Sequence, residues 1–277
     1  MTTQNPLYKY FRNAQIHIAL PSQGQFYPEG TLDMPPNGEI PIFPMTAADE
    51  MKARTPDALF NGSAIADIVS SCVPNIKDPW QMPIIDMNAL LAAIRLASYG
   101  EEMNIGSPCP SCGNLNDINV DLRTVLGSIK PVSFNKTFTM GDLEFSFKPL
   151  TYTQLNDINR ASFDNQRQIN FVDQNEELPE EERSKLLGDA FRFITDLTMK
   201  TIASTISSIK AADVLVTDTG QIYEYLLNCP KATYTLIRDN SIKARNDSEL
   251  APIPVICASC EHEYEQPFTL DVANFFV

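Results

Sequence analysis

Four cysteines in two matched pairs are the residues best placed to do chemistry. Pro108-Cys109-Pro110-Ser111-Cys112-Gly113 and Cys257-Ala258-Ser259-Cys260 are both Cys-x-x-Cys knuckles. Such a turn offers two soft donors from one short loop, and two turns complete the four-sulfur shell of a tetrahedral ion with bonds of about 2.3 Å. The knuckles lie far apart in sequence, so a shared ion would clip the middle of the chain to its end. Zinc is the expected ion, bound at Cys109, Cys112, Cys257 and Cys260. Four cysteines also suit an iron centre. His262, two residues beyond Cys260, is an alternative fourth ligand, although a full cysteine set is at hand. A closed cysteine shell is structural, because a catalytic zinc keeps a position open. A thioredoxin-like redox pair fits less well, since neither knuckle sits at a strand-to-helix turn.

The elements that position the knuckles follow from hydrophobic pattern. Alternating runs at Asp117–Leu122 and Phe268–Val272 read as strands. Each half of a split zinc ribbon is thus a knuckle plus a strand. Further strands are expected at 14–20 and 39–43, the second an edge strand because of Pro41. Alternation at 133–139 and 143–148 around Met140-Gly141-Asp142 predicts a hairpin, and 213–217 reads as another strand.

Helices are expected from Thr46, whose spacing to Asp49 is that of a capping box, through 64–69, and over 87–99 with Asp86 as N-cap and Gly100 at C′. Others are expected from Thr151 or Thr153 to about 168, from 183 to about 210, and over 221–228 and 231–245. The fold class is therefore α+β, a mixed helical core with short antiparallel strands and hairpins and a split four-cysteine zinc-ribbon clip. The expected divisions are an N-terminal strand and loop arm (1–45), a helical region (46–108), the first knuckle with its β-hairpin (109–150), a second helical region with the acidic loop 173–182 (151–250), and the second knuckle with its C-terminal strand and tail (251–277). The last closes the ribbon with 109–122.

Composition narrows the function. The chain has 277 residues and a net charge of −14, which disfavours the basic footprint of a nucleic-acid binder. No apolar run reaches a membrane span, and the first ten residues have no signal core, so a cytosolic product is expected. Cys72 and Cys229, each alone in an apolar context, read as packing residues. With two His and no Gly-rich phosphate loop or nucleophile arrangement, the pattern argues against an enzyme.

Four motifs in order, Leu20-Pro21-Ser22 with Phe26-Tyr27, Met45-Thr46-Ala47-Ala48-Asp49-Glu50, Ile94-Arg95-Leu96-Ala97-Ser98-Tyr99-Gly100, and Cys109-Pro110-Ser111-Cys112, resemble the baseplate hub proteins of T-even-like contractile-tailed bacteriophages. The resemblance spans roughly 15–125 and continues to the end in architecture only. It implies a structural subunit of the virion tail baseplate, made in the host cytoplasm, that contacts hub, tail tube, tape measure or other baseplate proteins. The alternative it leaves is an assembly chaperone absent from the finished particle; a metal-dependent tail enzyme such as a cell-wall hydrolase would need an open zinc site. Expected partner surfaces are the Leu20–Pro28 turn with Phe26 and Tyr27, the acidic loop with Glu176, Glu177, Glu180 and Glu181, and the apolar tail with Phe275 and Phe276.

Overall fold

The computed structural model describes residues 5–55, 61–132, 134, 137–175, 178–246 and 252–268. The chain forms two compact units, one from the residues up to 131 together with those from 249 onward, the other from 132–248. Glu176, Glu177, Phe275, Phe276 and most of the strand expected at 268–272 lie outside the described residues.

In the first unit, strands β1 (Ile16–Ala19) and β2 (Glu39–Ile42) pair antiparallel, with Pro41 opposite His17. A proline donates no ladder bond, and a two-stranded sheet is the place that tolerates it. Helix α1 (Ala47–Ala53) starts at Thr46, whose hydroxyl accepts from the Asp49 N–H while Asp49 accepts from the Thr46 N–H. That reciprocal cap is the one expected from the sequence. Arg12 fixes the arm that precedes β1. Its guanidinium donates to Asp49, to the Pro44 carbonyl and to the Ser71 carbonyl in the last turn of α2 (Ser63–Cys72), where a cation also suits the helix dipole.

Helix α3 (Ile84–Tyr99) is the spine of this unit. Six consecutive residues, Ala89 to Ile94, are buried, the signature of a helix covered on all sides. Arg95 is buried too, with its guanidinium over the Tyr99 ring at 5.3 Å.

The start of α3 differs from the expectation. The helix begins two residues before Asp86, and Pro83 takes the cap position. Proline at a helix start supplies a preset backbone and lacks an N–H that would go unbonded there. Asp86 is freed for another task. It is fully buried and accepts from the Ser22 N–H at 2.8 Å, the Ser22 hydroxyl at 2.5 Å and the Tyr27 hydroxyl at 3.0 Å. The Leu20–Pro28 turn is thereby bolted to the spine. The bolt holds Gln23 and Phe26 at φ of 54° and 70°, a region that costs a non-glycine residue about 1 kcal/mol or more.

After α3 come strands β3 (Glu102–Pro108) and β4 (Leu115–Asp121), then the short helix α4 (Leu122–Gly127), capped by the Asp121 carboxylate. The unit closes with β9 (Ile253–Ile256) and β10 (Glu263–Gln266).

The second unit is built on an antiparallel meander, β5 (Phe138–Met140), β6 (Leu143–Phe147), β7 (Ile206–Ala211) and β8 (Val214–Val216), in that order. A two-residue Gly141-Asp142 turn joins the first pair, with Gly141 at φ 58°. Between β6 and β7 run α5 (Tyr152–Gln174) and α6 (Glu180–Thr205), and after β8 come α7 (Thr219–Asn228) and α8 (Lys231–Asn246). Thr151 caps α5 in a capping box with Gln154. The core gathers Phe145, Phe147, Ile202, Ile206, Ile209, Ile222, Leu226 and Ile237.

Here the expected helix to about 210 is too long. It ends at Thr205, and Ile206 and Ile209 belong to β7. Their spacing of three fits a helix, but Ile206-Ser-Ser-Ile209 lacks strong helix formers and favours strand. A bulge against Ser146 and Phe147 lets both isoleucines reach the same core.

Candidate metal centre

Each knuckle is the turn of a β-hairpin, and the two turns have the same backbone plan. The Cys109 N–H donates to the Asn114 carbonyl at 2.8 Å and the Gly113 N–H to the Cys109 carbonyl at 2.9 Å. In the second hairpin, the Cys257 N–H donates to the His262 carbonyl at 3.0 Å and the Glu261 N–H to the Cys257 carbonyl at 2.9 Å. The residue after the second cysteine is left-handed in both, Gly113 at φ 73° and Glu261 at φ 56°. Glycine adopts that conformation freely, whereas glutamate is strained in it. The first cysteine of each pair is buried and the second exposed.

The sequence-based halves, a knuckle plus one following strand, are thus each a knuckle between two strands. β3 was not legible beforehand, because Gly106 and Pro108 interrupt its pattern. β10 begins directly after the second knuckle, earlier than the strand expected at 268–272.

A polar seam joins the hairpins. Ser107 and Asn116 are register partners in the β3–β4 pair and both are buried. Facing them from β10 are Tyr264 and Gln266. The Ser107 hydroxyl lies 2.9 Å from the Tyr264 hydroxyl and donates to Gln266 Oε1 at 2.5 Å, while Asn116 Nδ2 donates to the Tyr264 hydroxyl at 3.2 Å. Asn116 Oδ1 accepts from the Ala258 N–H at 3.0 Å, reaching into the second knuckle itself. Buried polar groups bonded in this way fix register and orientation more narrowly than apolar contact does. Sequence reasoning missed these four residues. The available signal was Ser107 and Asn116 as polar side chains on the inward face of strands whose other inward residues, Met103, Ile105, Ile118 and Val120, are apolar.

The seam brings the sulfurs together. Cys109 Sγ lies 3.7 Å from Cys260 Sγ, Cys112 Sγ lies 3.7 Å from Cys257 Sγ, and all four are within 4.8 Å of one another. A disulfide needs about 2.05 Å, so these are four free thiols. A tetrahedron with metal–sulfur bonds of about 2.3 Å has edges of about 3.8 Å, which the closest pairs match.

The thiols differ in acidity. At Cys112, the Asn114 N–H lowers the pKa, but proton sharing with Cys260 and lost solvation, together with the other sulfurs, push it up to about 12. At Cys257, lost solvation raises it, and hydrogen bonds from the Cys260 and Ser259 N–H groups and from Asn116 outweigh that and bring it to about 6. Four ionised sulfurs this close repel strongly. A divalent cation at their centre offsets that repulsion and holds every coordinating thiol as thiolate. The ring of His262 stacks on Tyr264 at a centroid distance of 6.3 Å.

The other expected site residues lie elsewhere. Phe26 and Tyr27 are half-buried, and Tyr27, its hydroxyl on Asp86, has its pKa raised by desolvation and by that carboxylate. Glu180 and Glu181 are exposed in the first turn of α6, where carboxylates complement the helix dipole.

A protein-family model described as T4 bacteriophage base plate protein matches residues 14–277, nearly the whole chain. Neither a curated protein nor a solved structure matches it.

Proposed function

The chain belongs to the T4 bacteriophage base plate protein family, and we propose that it is a hub or hub-proximal subunit of a contractile-tail baseplate, acting through protein–protein contacts and held rigid by a structural zinc. The observation that carries this reading is the family match across both units. A baseplate subunit is a structural part of the virion tail, and the family suggests a role other than catalysis.

The four converging sulfurs support zinc as the ion. A closed cysteine shell leaves no position for substrate and contributes its binding free energy to folding. That suits a protein that keeps its shape while its surroundings rearrange under force. The contact surfaces we assign are the bolted Leu20–Pro28 turn, with Phe26 and Tyr27, and the acidic segment around Glu176, Glu177, Glu180 and Glu181. We add the apolar tail with Phe275 and Phe276. The partners are other baseplate, hub, tail-tube or tape-measure proteins, met first in the host cytoplasm.

Quantitative mass spectrometry of purified virions tests the assignment. Peptides of this chain at a fixed small ratio to hub proteins are expected. Their absence from particles, with abundance in infected-cell lysate, would make it an assembly chaperone instead.

A further inference from the structure

A groove of about 390 Å³ runs along one side of β1, in the first unit. Five consecutive residues, Ile16 to Leu20, form one wall. Among the described residues none of β2 lines it, so the groove follows the edge of β1 that faces away from β2. Among the described residues the β1–β2 sheet has two strands, and no backbone hydrogen bond joins that outer edge of β1 to another segment. Such an edge carries alternate N–H and C=O groups ready to pair with an added strand.

Leu126 of α4, Ile129 and Pro131 beyond it, and Leu96 of α3 supply the rest of the apolar lining. Ile16 and Ile18 are half-buried, while His17 and Ala19 are exposed. This is the arrangement of a strand-addition site, in which main-chain bonds hold a peptide and a side wall selects its alternate side chains. At about 3.4 Å per residue, β1 has room for four or five residues.

Charge indicates the kind of segment. Among the described residues, the ionisable side chains lining the groove are His17 and Arg123 and no carboxylate lines it, on a chain whose net charge is −14. Arg123 bridges to Glu101 at 2.7 Å, but both side chains are exposed, and an incoming carboxylate can join or replace such a pair at little cost.

We infer that the outer edge of β1 and the apolar wall of α4 form a docking groove for an extended segment of another protein, one that alternates apolar residues and carries at least one Asp or Glu. The occupant adds a third strand to β1–β2 and sets an apolar side chain against Leu126 and Ile129. Its carboxylate lies toward Arg123. That the donor is another virion protein rests on the baseplate assignment.

Replacing Ala19 with the photo-crosslinker p-benzoylphenylalanine, irradiating during infection and sequencing the joined peptides tests this. The expected product is a peptide of one other virion protein with alternating apolar residues and an acidic side chain. Its yield is expected to fall at least tenfold when Ile129→Arg charges the wall, with the melting of the first unit, read from Trp80 fluorescence, unchanged. If Ile129→Arg alters that melting, Arg123→Glu at its exposed position is read instead, with the same tenfold loss expected. The proposal is overturned if no cross-link forms, if the joined peptide comes from a second copy or from residues 269–277 of the same chain, if it lacks an acidic residue, or if the yield is indifferent to the substitution. The presence of the chain in purified tails is scored separately, so a failed groove and a failed baseplate assignment give different results.

Discussion

The two units reach stability by different routes. The second has an ordinary core: Phe145 is fully buried, packs against Phe138 at a centroid distance of 5.9 Å and Tyr225 at 6.3 Å, and sits among aliphatic residues from a sheet and three helices. The first has its apolar spine in α3, but its two hairpins meet through hydrogen bonds and sulfur. Ser107, Asn116, Tyr264 and Gln266 provide direction, and four clustered cysteines form a site where the proposed ion would add what apolar burial does not. A core of the first kind resists loss of a cofactor; a clip of the second kind joins distant chain segments with few residues but depends on its ion.

The sharpest way to break this contrast is Cys112→Ser. Structural zinc contributes on the order of 10 kcal/mol in small metal-dependent folds, comparable to the whole stability of a domain, about 5–15 kcal/mol. Trp80, the one tryptophan of the chain, lies in the first unit. The expected result is loss of the cooperative Trp80 fluorescence transition, while the circular-dichroism melt of the helix-rich second unit persists. Phe145→Ala inverts the pattern. Emptying that buried site costs about 3–5 kcal/mol, lowering the second unit's transition and leaving Trp80's in place.

A smaller effect separates the bolt from the clip. Desolvation raises the Asp86 pKa from 3.8 to about 6, against the lowering by its bonds from Ser22 and Tyr27. A carboxyl whose folded pKa is raised stabilises most while protonated. Its contribution is fully present below about pH 4 and is lost as the pH rises through about 6, a change of about 3 kcal/mol. Asp86→Asn is expected to flatten the pH dependence of the Trp80 transition across that window relative to the unmodified chain. An unaltered slope would show that Asp86 does not titrate there. The smallest change goes the other way: Glu261→Gly relieves the left-handed backbone of the second knuckle and is expected to raise the first unit's stability by about 1 kcal/mol. If Glu261 instead serves the site electrostatically, its removal would lower metal affinity.

Much of this was legible in the sequence, and the gaps have physical causes. Local signals sufficed for the Thr46–Asp49 capping box, Pro41 on a two-stranded sheet and the hairpin at Gly141. The three-residue loop expected at Met140-Gly141-Asp142 is, however, a two-residue turn, because Met140 pairs with Leu143. The cysteine spacing anticipated a four-sulfur cluster, because few other arrangements use two such knuckles. What was hidden depends on tertiary context. Asp86 has the chemistry of an N-cap, and only the fold shows that its partners are Ser22 and Tyr27, 64 and 59 residues away. Ile206 and Ile209 carry a spacing that suits either structure, and pairing with β6 decides it. The Ser107–Tyr264 seam spans 157 residues, and no local pattern announces it.

An ion at Cys109, Cys112, Cys257 and Cys260 is proposed to hold the first unit together. Elemental analysis of the purified protein, run beside its Cys112→Ser variant, tests it most directly. One zinc per chain, absent from the variant, is the expected result. Folded, soluble protein with no stoichiometric metal would contradict it.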